Sequence, residues 1–307
     1  MTDITRFGRR TLLAGLGAAA LVSAWPWRAA ASVAPRTVPA TGARWPAVGL
    51  GSWITFDAPE GSEKFERGIE VMRRFFAAGG GMIDSSPMYG YAQQLIGHGL
   101  RAVDEPGRGV SATKVWIPGA ERGRTQAEQS LALWGLERFD VLHVHNLVDW
   151  QAHLPWMLEW KAEGRLGHVG VTTSHGRRHA ELADIIRGQP VDVVQFTYNI
   201  AEREAEQRLL PLAAEHGRAV VINRPFRTGA LFHAVRDKPL PDFAADIGCR
   251  SWAQYFLKWV ISHPAVSCAI PATSQPGHLD ENMAVLSGPL PDAALREEMA
   301  RYFESVT

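Results

Sequence analysis

Gly81-Met82-Ile83-Asp84-Ser85-Ser86-Pro87-Met88-Tyr89-Gly90 is the stretch from which the fold can be read. The glycines at 79–81 read as the turn that closes a helix, and residues 82–84 then form a short apolar strand ending on a carboxylate. A carboxylate that deep in apolar sequence needs a cation, and it stands too far upstream to cap the helix that begins near Tyr91. The same design recurs twice: Ser111-Ala112-Thr113-Lys114 and Asp140-Val141-Leu142-His143-Val144-His145 are apolar runs that end on a polar group. Asp84, Lys114 and His145 therefore close three successive strands, and Tyr89 follows the first of them.

Outward from these three strands the chain alternates regularly. Strands are expected at 47–50, 82–84, 110–113, 141–145, 168–171, 191–196, 219–222 and 267–270. Amphipathic helices are expected at 63–78, 92–103, 123–134, 152–163, 179–187, 202–216, 251–263 and 279–286, with a last one at 293–303. Alternation of this kind requires parallel strands with helical crossovers. Eight units in this length predict a single-domain α/β fold, a (β/α)8 TIM barrel of ~250 residues. The competing doubly wound sheet has a Gly-x-G-x-x-G turn leading into a helix; Gly49-Leu50-Gly51 is followed by no such helix. Barrel enzymes carry their chemistry at the C-terminal ends of strands, which is where Asp84, Lys114, His145 and Tyr89 fall.

A phenol beside an ammonium, a carboxylate and an imidazole can deliver a proton to a forming alkoxide. On this reading Lys114 and Asp84 lower the pKa of Tyr89 from its usual value of ~10. Lys114 alone would also suit a Schiff-base lyase, and His143 with His145 would suit a metal pair, but no Cys or carboxylate cluster joins the two histidines. No metal is expected, and His143 reads as a core residue. Trp53 and Trp116, each just after a strand, are expected to line a substrate pocket mouth. Arg177-Arg178-His179 reads equally as a phosphate contact or a solvated helix start.

The chain has 307 residues, 46% hydrophobic and 21% charged, with a formal charge of +0 and scattered cations, so nucleic acid is not an expected partner. Residues 1–31 differ in kind. Arg9-Arg10 precede an apolar Ala- and Gly-rich run, then Ala29-Ala30-Ala31, which is the pattern of a twin-arginine signal peptide cleaved near Ala31. A retained anchor is the alternative, but the run is shorter than the ~20 residues a bilayer span needs. The expected organisation is signal at 1–31, Pro- and Ala-rich connector at 32–45, and barrel at 46–307, exported to the periplasm as a monomer. Export permits disulfides, but Cys249 and Cys268 are the only cysteines, and two free thiols are expected.

Along residues 46–287 the chain resembles the aldo-keto reductase family. The segment 81–90 is similar to that family's Gly-x-x-x-Ile-Asp-Thr-Ala-x-x-Tyr-Gly signature, and Thr113-Lys114 and Asp140 to His145 match its next two strand ends. Gly164 to Thr172, Gln195 to Asn199, and Ile270 to Ser274 through Glu281-Asn282 resemble three further segments in family order. The resemblance implies a nicotinamide-dependent oxidoreductase, using NADP or NAD on a small-molecule carbonyl substrate. It implies Tyr89 as acid, tuned by Lys114 and Asp84, with His145 orienting the carbonyl oxygen. It places Ser52, Thr172, Thr173, Gln195, Tyr198 and Arg224 around the nicotinamide half. Ala272, Thr273, Ser274, His278, Glu281 and Asn282 then fall at the adenosine half.

The chain departs from the family at several of these positions. Thr172-Thr173 replaces the usual Ser-Asn pair, Asn223-Arg224-Pro225-Phe226 replaces Tyr-Ser-Pro-Leu, and Ala272 and His278 stand where cations often meet the 2′-phosphate. These departures put NADP preference in question and leave a second reading, an exported nucleotide-binding or sensory module with little turnover. With no long loop after the last helix, the pocket is expected to be open or to be formed by residues 227–250.

Overall fold

A computed structural model describes residues 32–103 and 109–307; the expected signal segment lies outside the described residues. Among them, eight parallel strands form one sheet. Numbering follows the whole chain, so the hairpin strands Arg36–Thr37 and Arg44–Trp45 are β1 and β2. The barrel strands are Leu50–Gly51 (β3), Met82–Asp84 (β4), Val110–Val115 (β5), Phe139–Val144 (β6), Leu166–Thr172 (β7), Val193–Thr197 (β8), Ala219–Asn223 (β9) and Cys268–Ala269 (β10). They pair in sequence order from β3 to β10. The sheet closes on itself through Gly49 N–H to Ala269 O at 2.8 Å and Gly51 N–H to Pro271 O at 3.0 Å. Closure needs glycine at 51, because a Cβ there would stand 2.8 Å from the Ile270 carbonyl oxygen. The expected (β/α)8 barrel is the fold.

Amphipathic helices cover the outside. In Glu63–Ala77 the buried Phe65, Ile69, Met72 and Phe75 recur at three- and four-residue spacing, and Ser62 caps the helix by accepting from Phe65 N–H at 3.2 Å. The helix expected at 202–216 is broken into Glu204–Gln207 and Leu209–Glu215. Pro211 explains the break: its ring clashes with the carbonyl four residues back, at Gln207.

The connector expected at 32–45 contains the β1–β2 hairpin, paired antiparallel. Val38 and Trp45 are buried in the same cluster as the barrel-interior residues Met82, Ala112, Val141, Val193 and Val221. Thr41 reaches His168 Nε2 at 2.8 Å, and the Trp45 ring meets the His168 ring edge-on. The hairpin therefore seals the end of the barrel opposite the site. Cys249 and Cys268 are both buried and free, as expected. No helix among the described residues is long and apolar enough to cross a membrane.

Candidate active site

The parallel register brings the polar strand ends together. Lys114 Nζ donates to Asp84 Oδ1 at 2.5 Å and to the Ser85 carbonyl at 2.8 Å, with both side chains buried. The second Asp84 oxygen accepts from Gln195 Nε2 at 3.0 Å. Gln195 Oε1 in turn accepts from Thr172 Oγ1 at 3.1 Å, and Asn223 Nδ2 donates to the Thr173 carbonyl at 2.9 Å. Every strand from β4 to β9 except β6 thus contributes to one hydrogen-bonded platform. Burial pulls the Lys114 ammonium down from its usual pKa, while the Asp84 charge and hydrogen bond oppose that shift.

Tyr89 and His145 stand over this platform. Their rings meet edge-on with centroids 6.0 Å apart, and Lys114 Nζ lies 5.3 Å from the Tyr89 ring centre. Burial, with the negative charge of Asp84 added, pushes the Tyr89 phenol up. The expected lowering of this phenol by Lys114 is not what the geometry produces. The ammonium spends its donors on Asp84 and Ser85, the carboxylate cancels its field, and desolvation prevails. Tyr89 is thus a firmly protonated acid. Burial and the Lys114 charge hold His145 down to about 3, so its ring is neutral at working pH. Ser86 Oγ meets His145 Nδ1 at 3.0 Å; donation by the hydroxyl leaves the ring proton on Nε2.

A cavity of about 410 Å³ opens at this face, lined by Asp84, Tyr89, His145, Thr172, Gln195 and Arg224 among others. Ser52 and Trp53 line it too, the Ser52 hydroxyl donating to the Asp84 carbonyl at 2.9 Å. A neighbouring cavity of about 280 Å³ shares Phe226, Phe232 and Ala272 with the first, and gathers Thr273, His278, Glu281 and Asn282. Phe226, Thr228, Gly229 and Phe232 come from the segment in or beside 227–250 expected to shape the pocket.

Four residues expected at the cofactor or substrate site, Tyr198, Thr173, Ser274 and Trp116, line neither cavity. Tyr198 is fully buried on the helix side, its ring tilted against Trp259 with centroids 5.0 Å apart, and bonded to Glu206 and Arg296. It stands three residues past Gln195, an odd number, and a strand turns alternate side chains to opposite faces. Thr173 fails for the same reason: Thr172 and Ser174 line the cavity, and its own buried hydroxyl has no partner. Ser274 lines neither cavity. Trp116 does not line the cavity but lies against His145, its ring centroid 6.2 Å away. His143 is buried one layer down, against Gly170, where a Cβ would fall 2.5 Å from its ring.

Other contributors were not anticipated. Ser86 Oγ meets His145 Nδ1, and Asn223 supports Gln195 and Thr173. Asn223 ends an apolar strand in the same manner as Asp84, a signal the sequence does carry. Ile54, Met88, Phe226 and Phe232 supply apolar wall from loops and carry no such signal.

The barrel and the convergence of phenol, imidazole, carboxylate and ammonium at its C-terminal mouth define an acid–base site on a (β/α)8 scaffold. The model of the Aldo/keto reductase family matches residues 47–299, and the chain belongs to that family of oxidoreductases. It is 28% identical over 238 residues to pyridoxine 4-dehydrogenase of Escherichia coli, covering 70% of this chain and 80% of that protein. It is 22% identical to the NADH-specific methylglyoxal reductase of Escherichia coli, covering 84% and 95%. An aldo-keto reductase from Bacillus halodurans superposes with a TM-score of 0.73 at 17% identity, over 88% of this chain and 96% of its own. A Klebsiella pneumoniae aldo/keto reductase solved with NADP and acetate gives 0.72 at 24%, over 88% and 96%.

Proposed function

We propose that this protein interconverts a small carbonyl compound and its alcohol, using NAD(P), with Tyr89 as the proton donor. The observation that carries this reading is the meeting of Tyr89, His145 and Asp84 in one cavity, with Lys114 bonded behind Asp84. Tyr89, kept protonated by burial, gives its proton to the carbonyl oxygen as that oxygen gains charge. Neutral His145, with Nε2–H free of the Ser86 contact, donates to the same oxygen and orients it. Lys114, bonded to Asp84, lies beside the phenol, its ammonium 5.3 Å from the Tyr89 ring centre.

The two adjoining cavities fit an extended dinucleotide. The Gln195 amide and Thr172 hydroxyl meet at one end, and Thr273 with Asn282 offer short polar groups at the other. When bound, the nicotinamide supplies or accepts the hydride. Relatives and fold neighbours named for NADH specificity or solved with NADP support this class of cofactor.

We further infer that residues 1–31 are a twin-arginine signal cleaved near Ala31, so that residues 32–307 act as a monomer outside the cytoplasm. Nucleotide recycling by cytoplasmic enzymes is out of reach there. The nucleotide is therefore held tightly while two substrates are served in turn. Rapid exchange of nucleotide from protein taken out of the exported compartment would sink that part.

The function itself is tested by mixing purified protein with NADH or NADPH and a panel of aldehydes and ketones. Saturable loss of nicotinamide absorbance supports the reading. Tight nucleotide binding without turnover on any carbonyl would favour the binding-module alternative.

A further inference from the structure

Lys258 lies in the middle of the helix Trp252–Ile261 and is 1% exposed, although it has no place in the chemistry above. Its Nζ donates to the carbonyls of Ile247 at 2.6 Å, Ser287 at 2.8 Å and Pro289 at 3.0 Å. Three acceptors need three N–H groups, which only the charged ammonium has. Burial pulls its pKa down, and no carboxylate reaches it among the described residues. Cys249, whose thiol burial pushes up to about 11, stays neutral beside it. A buried charge without a counterion is costly, and here three carbonyl dipoles alone replace its water shell.

The chain bends to supply those carbonyls. Gly248 follows Ile247, and Gly288 stands between Ser287 and Pro289; both take left-handed backbone, φ 71° and 78°. Glycine adopts that conformation without the steric cost of a Cβ. Each carbonyl also comes from a segment that bounds the smaller cavity. Ile247 precedes Ser251, Trp252 and Ala253, the cavity wall at the start of the helix that carries Lys258. Ser287 and Pro289 follow the helix Pro276–Ala284, which brings His278, Glu281 and Asn282 to the same cavity. One turn nearer the cavity, Gln254 Nε2 reaches the Glu281 carbonyl at 3.4 Å, a long bond. The shorter, charged bonds of Lys258 are therefore the firmer tie between the two helices.

We propose that Lys258 is a tethered cation: its ammonium fills a carbonyl cage of the kind that takes a monovalent ion, and so positions the two helices that wall the smaller cavity. Because the side chain supplies the ion, the cage is filled in every molecule and needs no salt. The effect on nucleotide binding rests on the reading of that cavity as the adenosine half of the cofactor site; the cage itself does not.

Lys258→Met keeps the apolar stem of the side chain and removes the ammonium, leaving the three carbonyls open to a free ion. Ammonium chloride should raise the melting midpoint of this variant by about 2 °C or more over tetramethylammonium chloride at equal ionic strength, and should not do so in wild type. NADH should bind Lys258→Met about tenfold more weakly than wild type, and ammonium should restore most of that loss. If Lys258→Met does not fold, Lys258→Ala is refolded with propylammonium, the fragment removed. Recovery with that cation and not with tetramethylammonium supports the cage; recovery with neither, or with both alike, overturns it. A folded Lys258→Met with no specific response to ammonium also overturns the cage. A specific response with NADH affinity within about twofold of wild type, or lost and not restored, overturns the positioning role. Wild type that binds no NADH, with the ammonium response of the variant intact, counts against the nucleotide reading and not against the cage.

Discussion

Lys114 Nζ stands 2.5 Å from Asp84 Oδ1 with both side chains buried, and this ion pair joins β4 to β5 directly beneath the mouth of the barrel. Its carboxylate also accepts from Gln195 on β8, so one residue ties three strands to the site.

Breaking that pair should be felt as lost stability. Lys114→Met leaves the Asp84 carboxylate facing only the Gln195 amide in a buried setting, a class of change that costs about 3–5 kcal/mol. Asp84→Asn with Lys114 intact should cost a similar amount. Chemical denaturation with unchanged m-value is the check; variants as stable as wild type would show the pair to be solvated.

His145 should mark the acid limb of stability. Its folded pKa of about 3 lies below the unfolded value of ~6.5, so the unfolded chain binds the extra proton in between. The contribution is therefore complete above pH ~6.5 and is lost as pH falls from there towards 3, up to about 5 kcal/mol. His145→Gln should flatten the stability curve over that window. An unchanged slope would show that His145 titrates normally in the folded protein.

Nucleotide choice should favour NADH. The residues lining the smaller cavity include Glu281 and no Lys or Arg, so a 2′-phosphate there would find a carboxylate and no cation. NADH should bind at least about tenfold more tightly than NADPH. The double change Ala272→Lys with His278→Arg should narrow that gap. Tighter NADPH binding in the wild type would place the 2′-phosphate elsewhere.

Much of this was legible because polar residues at the ends of apolar strands are rare and costly. Asp84, Lys114 and His145 stand out for that reason, and strand alternation then places them at one mouth. The same two-residue period, applied from Gln195, excludes Tyr198, and applied from Thr172 it excludes Thr173; a motif match alone overlooked it. The hairpin at 36–45 was hidden because its strands are two residues long and lack any alternating run. The cavity walls were hidden for another reason. Ile54, His175, Arg224 and Thr228 take left-handed backbone that no propensity predicts for such residues, so tertiary contacts set their directions. The reversal in the Tyr89 pKa likewise depends on where Lys114 spends its hydrogen bonds, which spacing does not reveal.

Tyr89→Phe tests the central claim most directly, by single-turnover kinetics and nucleotide titration on the same preparation. The account predicts a fall of about 10²–10⁴ in the reduction step, with nucleotide affinity unchanged, because only the proton donor is removed. Reduction at the wild-type rate in the Phe variant would contradict it and pass the acid's role to His145 or to another group.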